Sequence, residues 1–231
     1  MVRRVLEAAQ HGGDGSRRLR LDATAFLTAW TILGLNILSP GPNVLNTITT
    51  AMGSGRGPAL AAAAAVGVGS GLWCLGMSLG MAVLFQVVPG VQEALTIMAA
   101  GLLIYFATRY LRAAFHVETR EKALRARAGL GRVASFWRSF SIVATNPKAL
   151  TTWLAILGIL PLGGAAPGDI AILCLGAVAI SALIHAVYGV LFSTGAAAVL
   201  YLRAAPVVNA AVGLFFASFA IRLVAPLLAR V

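Results

Sequence analysis

Two short segments hold the residue types that could do chemistry in this chain: Ser39-Pro40-Gly41-Pro42-Asn43 and, about a hundred residues later, Thr145-Asn146-Pro147-Lys148-Ala149. Proline has no backbone N–H, so a helix that meets either segment must break and leave carbonyls free to accept from another group. Lys148 stands directly after the second break, within apolar sequence. A charge in such a setting is a candidate functional group, because its burial is costly unless carbonyls, a helix terminus or a ligand carboxylate hold it. The plainer reading is that Lys148 lies near a helix end and snorkels to a polar surface.

Asn36, Ser39, Asn43, Asn46 and Thr50 add a polar stripe across the first break. They suit the ammonium and carboxylate of a zwitterion, and they equally suit repair of the broken backbone or contact with a neighbouring helix. Ser181, His185 and Tyr188 fall at i, i+4 and i+7, one face of a helix. His185 reads either as a proton relay or as a hydrogen-bonding partner between helices. Ser70, Cys74 and Ser78 make a weaker stripe, best read as close helix packing together with Gly67, Gly71 and Gly80.

Several chemistries lack their residues. Glu93 and Asp169 fall at segment starts and Glu118 and Glu121 in a basic stretch, so no carboxylate lies well inside an apolar run and a divalent-metal site is disfavoured. Nothing combines a nucleophile, a base and an orienting group, so the chain reads as no enzyme, with no catalytic residues, metal or cofactor. Cys74 and Cys174 are the only cysteines, both in apolar runs, and read as small packing residues.

The elements that must position these groups are hydrophobic helices. The 231 residues are 59% hydrophobic and only 11% charged, with a mean hydropathy of +0.89, too apolar for an ordinary soluble domain. Apolar runs span Ala23 to about Thr50, Ala59 to Phe85, Val91 to about Tyr110, Phe140 to Leu160, Ile170 to Leu200 and Pro206 to Leu228. Each is near the length of a bilayer-crossing helix, and none shows the short alternation of a transmembrane barrel. The expected fold is therefore an all-α integral membrane protein of about six spans in two three-helix halves, helices one and four being broken. Corresponding breaks in two halves point to inverted repeats with a site at the unwound midpoints.

The expected organisation is a basic tail over 1–22, a repeat over about 23–113, a basic loop over about 114–138 and a second repeat over about 139–228, residues 23–231 forming one transmembrane domain. The formal charge of +11 sits in juxtamembrane clusters without interleaved aromatics, which favours topology and anionic lipid over nucleic acid. Loops after spans one, three and five carry Arg56, the eight basic residues from Arg109 to Arg138, and Arg203. This places the long basic loop in the cytoplasm.

Ser39-Pro40-Gly41-Pro42-Asn43, Gly53-x-x-Arg56-Gly57, Gly67-x-x-x-Gly71 and Thr145-Asn146-Pro147-Lys148-Ala149 together resemble the LysE/RhtB family of bacterial amino-acid exporters, the lysine exporter and homoserine-threonine resistance translocator family, over about residues 24–228. The resemblance implies a secondary transporter in the bacterial cytoplasmic (inner) membrane that exports amino acids or related small zwitterionic metabolites. It implies protons as coupling ion, a small-molecule substrate and lipid as partners, and it leaves a homo-oligomer open. By motif, Ser39, Pro40, Gly41, Pro42, Asn43, Asn146, Pro147 and Lys148 are expected to bind substrate, with Asn46, His185 and Tyr188 as pocket or relay residues. The sequence departs from the family in having Leu72 where many members carry an acid, and the helix-three tyrosine is expected at Tyr105. Rival readings are a passive small-solute channel and a membrane thiol-disulfide electron carrier. The latter needs cysteines beside the broken prolines, where Asn43 and Lys148 stand.

Overall fold

The computed structural model describes residues 21–87, 91–115, 129–160 and 165–228; the tail over 1–20, the Pro89-Gly90 turn and most of the basic loop lie outside them. Among the described residues every regular element is an α-helix: α1 (Ala23–Leu38), α2 (Pro42–Ser54), α3 (Arg56–Val87), α4 (Val91–Phe115), α5 (Arg132–Ala144), α6 (Pro147–Ile159), α7 (Pro167–Leu191) and α8 (Gly195–Leu228). Four of these helices are long and apolar enough to cross a membrane, and the number is six when each of the pairs α1/α2 and α5/α6, both bent by 54°, counts as one broken span. In lipid only helices keep every backbone group of a single span paired.

Helix ends follow local chemistry. Asp22 caps α1 by accepting from the Ala25 amide at 2.8 Å. Asp169, in the first turn of α7, accepts from the Ala166 amide at 3.0 Å and from the Leu21 amide at 3.4 Å, which pins the start of α1 to the other half. Between α2 and α3 the chain reverses at Gly55, whose φ of +84° favours glycine.

Much of the helix packing maps onto itself when the two halves are exchanged, although the contact of α4 with α6 has no comparable counterpart between α8 and α2. Helix α3 packs on its counterpart α7, and α4 on α8; α1 meets α7 as α5 meets α3; α2 meets α5 as α6 meets α1; and α2 meets α7 as α6 meets α3. With each bent pair counted as one span, each half crosses the bilayer three times, which is the arrangement of inverted repeats. The α3/α7 crossing is close because a Cβ on Gly67 would meet Ala182 and one on Gly71 would meet Val178. There the Ser181 hydroxyl donates to Ser70 Oγ at 2.9 Å, joining the two polar stripes. On the α4/α8 side Phe106, Tyr110 and Phe216 pack in the core.

Two boundaries differ from expectation. The fifth span ends at Leu191, and the turn over 192–194 starts α8 at Gly195, so Arg203 lies inside a helix and not in a loop. Residues Ala196 to Leu200 are as apolar as the span before them, so hydropathy runs across a turn that consists of little more than Ser193 and Thr194. Helix α5 begins at Arg132, ahead of the apolar run that starts at Phe140. Its exposed Trp137 is suited to the membrane interface.

Gly158 marks the tightest contact between α6 and α4: a Cβ there would lie 2.5 Å from the Leu95 carbonyl oxygen. Gly158→Ala should destabilise the protein by about 1–3 kcal/mol, the usual cost of overpacking. It should lower the thermal midpoint in detergent, whereas Gly101→Ala, with nothing within 4 Å of its added carbon, should leave it unchanged or raise it.

Candidate functional site

The site starts from a backbone deficit. Each proline at a break removes the N–H that would have reached the carbonyl four residues earlier. Pro40 leaves Asn36 O, Pro42 leaves Leu38 O, and Pro147 leaves Val143 O. All three accept from side chains of other helices, and Val143 O accepts also from the Asn146 amide at 3.4 Å. Lys148 Nζ donates to Asn36 O at 2.7 Å and to Ser39 O at 3.4 Å. The Tyr188 and Tyr201 hydroxyls donate to Leu38 O at 3.2 and 3.1 Å. Trp73 Nε1 donates to Val143 O at 3.0 Å, with the Val143 side chain seated where a Cβ on Gly69 would fall.

The Lys148 ammonium therefore sits at the C-terminal, negative end of α1. It lies 5.5 Å from the centre of the Tyr110 ring, and a Cβ on Gly41 would come within 3.2 Å of it. A chain of hydrogen bonds buttresses it: the Tyr110 hydroxyl donates to Asn36 Oδ1, Asn36 Nδ2 donates to Thr152 Oγ1, and Thr152 Oγ1 donates to the Lys148 carbonyl at 2.5 Å. The snorkelling alternative for Lys148 does not describe this geometry, since its amine points to the break and not to a polar surface.

Between the two breaks lies a cavity of about 60 Å³, room for a few water molecules. Among the expected residues, Gly41, Pro42, Asn43, Asn146, Lys148 and His185 line it. Leu33, Val66 and Trp153 give it apolar walls, while Asn36, Ser70, Thr152 and Ser181 add hydroxyl and amide groups. The N-terminus of α2 opens towards it without a side-chain cap. That of α6 is capped by Asn146 Oδ1, which accepts from the Lys148 amide at 2.9 Å. Two polar atoms of lining residues have no hydrogen-bond partner: Asn43 Oδ1 and His185 Nε2. His185 Nδ1 lies 2.9 Å from the Ser181 carbonyl, which can only accept, so Nδ1 carries the hydrogen and Nε2 of the neutral ring is a bare acceptor.

The other expected residues go elsewhere. Ser39 is buried but donates to Asn209 Oδ1 of α8 at 3.2 Å. Pro40 shapes the break without lining the cavity, and the Pro147 ring lies outside the described side chains. Asn46 donates to Ser139 Oγ at 2.7 Å, beyond the cavity wall, and Tyr188 serves the Leu38 carbonyl. The tyrosine near the lysine is Tyr110; Tyr105 is half-exposed and accepts from Arg109 at 3.4 Å. Thr152, one turn after Lys148, Trp73, one turn after Gly69, and the donors Tyr110 and Tyr201 are residues sequence reading missed. Cys74 and Cys174 lie with their sulfurs 3.0 Å apart at the α3/α7 crossing, away from the proline breaks. Among the described residues no three His, Cys, Asp or Glu side chains gather in a group that could hold a metal ion.

A bundle of membrane-crossing helices built round two mutually capped breaks, with a small polar cavity between them, belongs to the class of multi-pass membrane transporters. The model of the LysE type translocator family matches residues 35–226, and the chain belongs to that family. Searches of curated proteins and of solved structures returned no match.

The capping of Leu38 O by two hydroxyls gives a specific expectation. Tyr188→Phe and Tyr201→Phe should each cost less than about 1 kcal/mol, because the other hydroxyl remains. The double variant strands the carbonyl in an apolar setting and should cost about 1–3 kcal/mol, more than the sum of the singles, in thermal unfolding in detergent.

Proposed function

We propose that this translocator exports amino acids or related small zwitterionic metabolites across the bacterial cytoplasmic membrane, driven by the proton gradient, with the basic segment between α4 and α5 on the cytoplasmic side. One observation carries the reading: the cavity between the two breaks is lined by one strongly basic side chain, Lys148, and by no carboxylate. A substrate carboxylate is matched there by the ammonium and by the uncapped N-terminus of α2, whose dipole favours negative charge. The substrate ammonium is matched by Asn43 Oδ1 and His185 Nε2, the two acceptors without partners.

The charge balance also selects among substrates. A second cationic group, as on a diamino acid, finds no counter-ion in this lining and meets Lys148 at close range. Neutral and acidic amino acids are thus the favoured cargo, with Leu33, Val66 and Trp153 taking an apolar side chain. His185 is the residue we assign to proton movement, because its Nε2 lies in the same cavity as the substrate groups and can take up a proton when they leave. The surplus of Lys and Arg at the ends of α2, α4 and α5 supports the orientation.

Efflux from cells preloaded with a panel of labelled amino acids tests this directly. Neutral and acidic members should leave at least tenfold faster than diamino acids, and an uncoupler should remove most of the rate. Lys148→Met keeps the length of the side chain without its charge and should reduce efflux at least a hundredfold at an unchanged amount of protein in the membrane. Undiminished efflux in that variant, or a preference for diamino acids, would refute the site assignment.

A further inference from the structure

A second group of buried polar atoms lies outside the cavity, along the seam between α2 and α5. Asn46 is 5% exposed, Thr50 0%, Ser135 1% and Ser139 1%. Only the bond from Asn46 Nδ2 to Ser139 Oγ, at 2.7 Å, joins them. Asn46 Oδ1, Thr50 Oγ1 and Ser135 Oγ have no partner. The two helices run antiparallel, since the Leu130 amide, just ahead of α5, donates to Ser54 Oγ at the end of α2 at 3.1 Å. Thr50 and Ser135 each stand one turn beyond the Asn46–Ser139 bond towards the basic-loop end, and Asn43 of the cavity stands one turn before it. The seam is therefore a polar track from the central cavity to the side on which Arg56 and Arg132 sit. There Arg56 donates to Ser193 Oγ at 3.2 Å, and Arg132 covers Gly57.

The corresponding seam in the exchanged arrangement, between α1 and α6, differs in one respect. Its polar groups are satisfied: both ends of the Asn36 amide are bonded, to Thr152 and to Tyr110. Buried polar atoms without partners are rare in folded proteins and persist where another state or water pairs them. Three on one seam and a closed network on its counterpart mean that only the first is lined for water.

We propose that the α2/α5 seam is the gated passage between the basic-loop side and the central cavity, with the Asn46–Ser139 bond as its bolt and Thr50 and Ser135 as part of its hydrated lining when open. Its ligands are water and the polar end groups of a zwitterion passing through. This rests on the reading of the cavity as the substrate site.

Two measurements test it. In a Cys74→Ala, Cys174→Ala background, Thr50→Cys and Ser135→Cys are treated with a charged, membrane-impermeant thiol reagent in inside-out vesicles and in right-side-out spheroplasts. Both should react at least tenfold faster in the inside-out vesicles than in spheroplasts, and tenfold faster than Leu214→Cys, which faces away from the protein interior. This readout needs no substrate, so it stands even if the amino-acid reading fails. Equal or slower reaction than Leu214→Cys, or reaction only in spheroplasts, overturns the proposal. Separately, Thr50→Val removes an unpartnered hydroxyl without changing shape. It should raise the thermal midpoint in detergent while slowing transport at least fivefold. A residue that merely supports the fold would lower the midpoint, and that result, or an unchanged transport rate, would overturn the role given to the seam.

Discussion

The arrangement depends on one constraint: a backbone carbonyl in a bilayer must find a donor, and proline removes the one that a helix would supply. Three prolines create three such carbonyls, and each takes a side-chain donor from the opposite half. Lys148, Tyr188 and Tyr201 of the second half serve Asn36 and Leu38 of the first, while Trp73 of the first serves Val143 of the second. Only Val143 O finds a further donor in its own half, the Asn146 amide at 3.4 Å. The two repeats are thus tied at the points where their helices are weakest, and a relative movement of the halves must exchange these donors for others, for water or for a ligand.

The same deficit sets the electrostatics. By donating to the carbonyls at the end of α1, the Lys148 amine is held with no carboxylate beside it among the cavity-lining residues. A lysine paired with an acid would be a closed ion pair with little left for a ligand. One held by carbonyls beside the Tyr110 ring can be joined by an anionic group without first displacing a partner of equal strength. Gly41 lies against that amine, where a side chain would crowd it, which accounts for glycine between the two prolines at a φ of −152° that any residue adopts.

Much of this was legible in the sequence because hydropathy and proline each have a direct backbone consequence. The apolar runs located the spans, and Pro40, Pro42 and Pro147 located the breaks, along with Lys148 beside one of them. The donors were not legible. Trp73, Tyr110 and Tyr201 satisfy or buttress the breaks from positions whose facing depends on how helices cross, and sequence spacing along one helix does not report the rotation of another. Tyr105 and Tyr110 differ by five residues, so they point to different faces, and only packing against Phe216 decides that Tyr110 is the inner one. The turn after Leu191 was missed for a related reason: a break of three residues between apolar helices leaves almost no mark in hydropathy.

The two seams divide the energetics of opening. Parting α1 from α6 breaks both ends of the Asn36 amide and uncovers the carbonyl held by Lys148, several hydrogen bonds at about 0.5–1.5 kcal/mol net each. Parting α2 from α5 breaks the Asn46–Ser139 bond, and the Leu130–Ser54 bond at its end, and exposes three atoms that no protein group pairs. Fewer side-chain hydrogen bonds tie α2 to α5, so on the gating proposal that seam is the one that parts at the lower cost. Opening towards the other end requires that something else first compensate the α1/α6 network, and a ligand that meets Lys148 and Asn43 together is placed to do so.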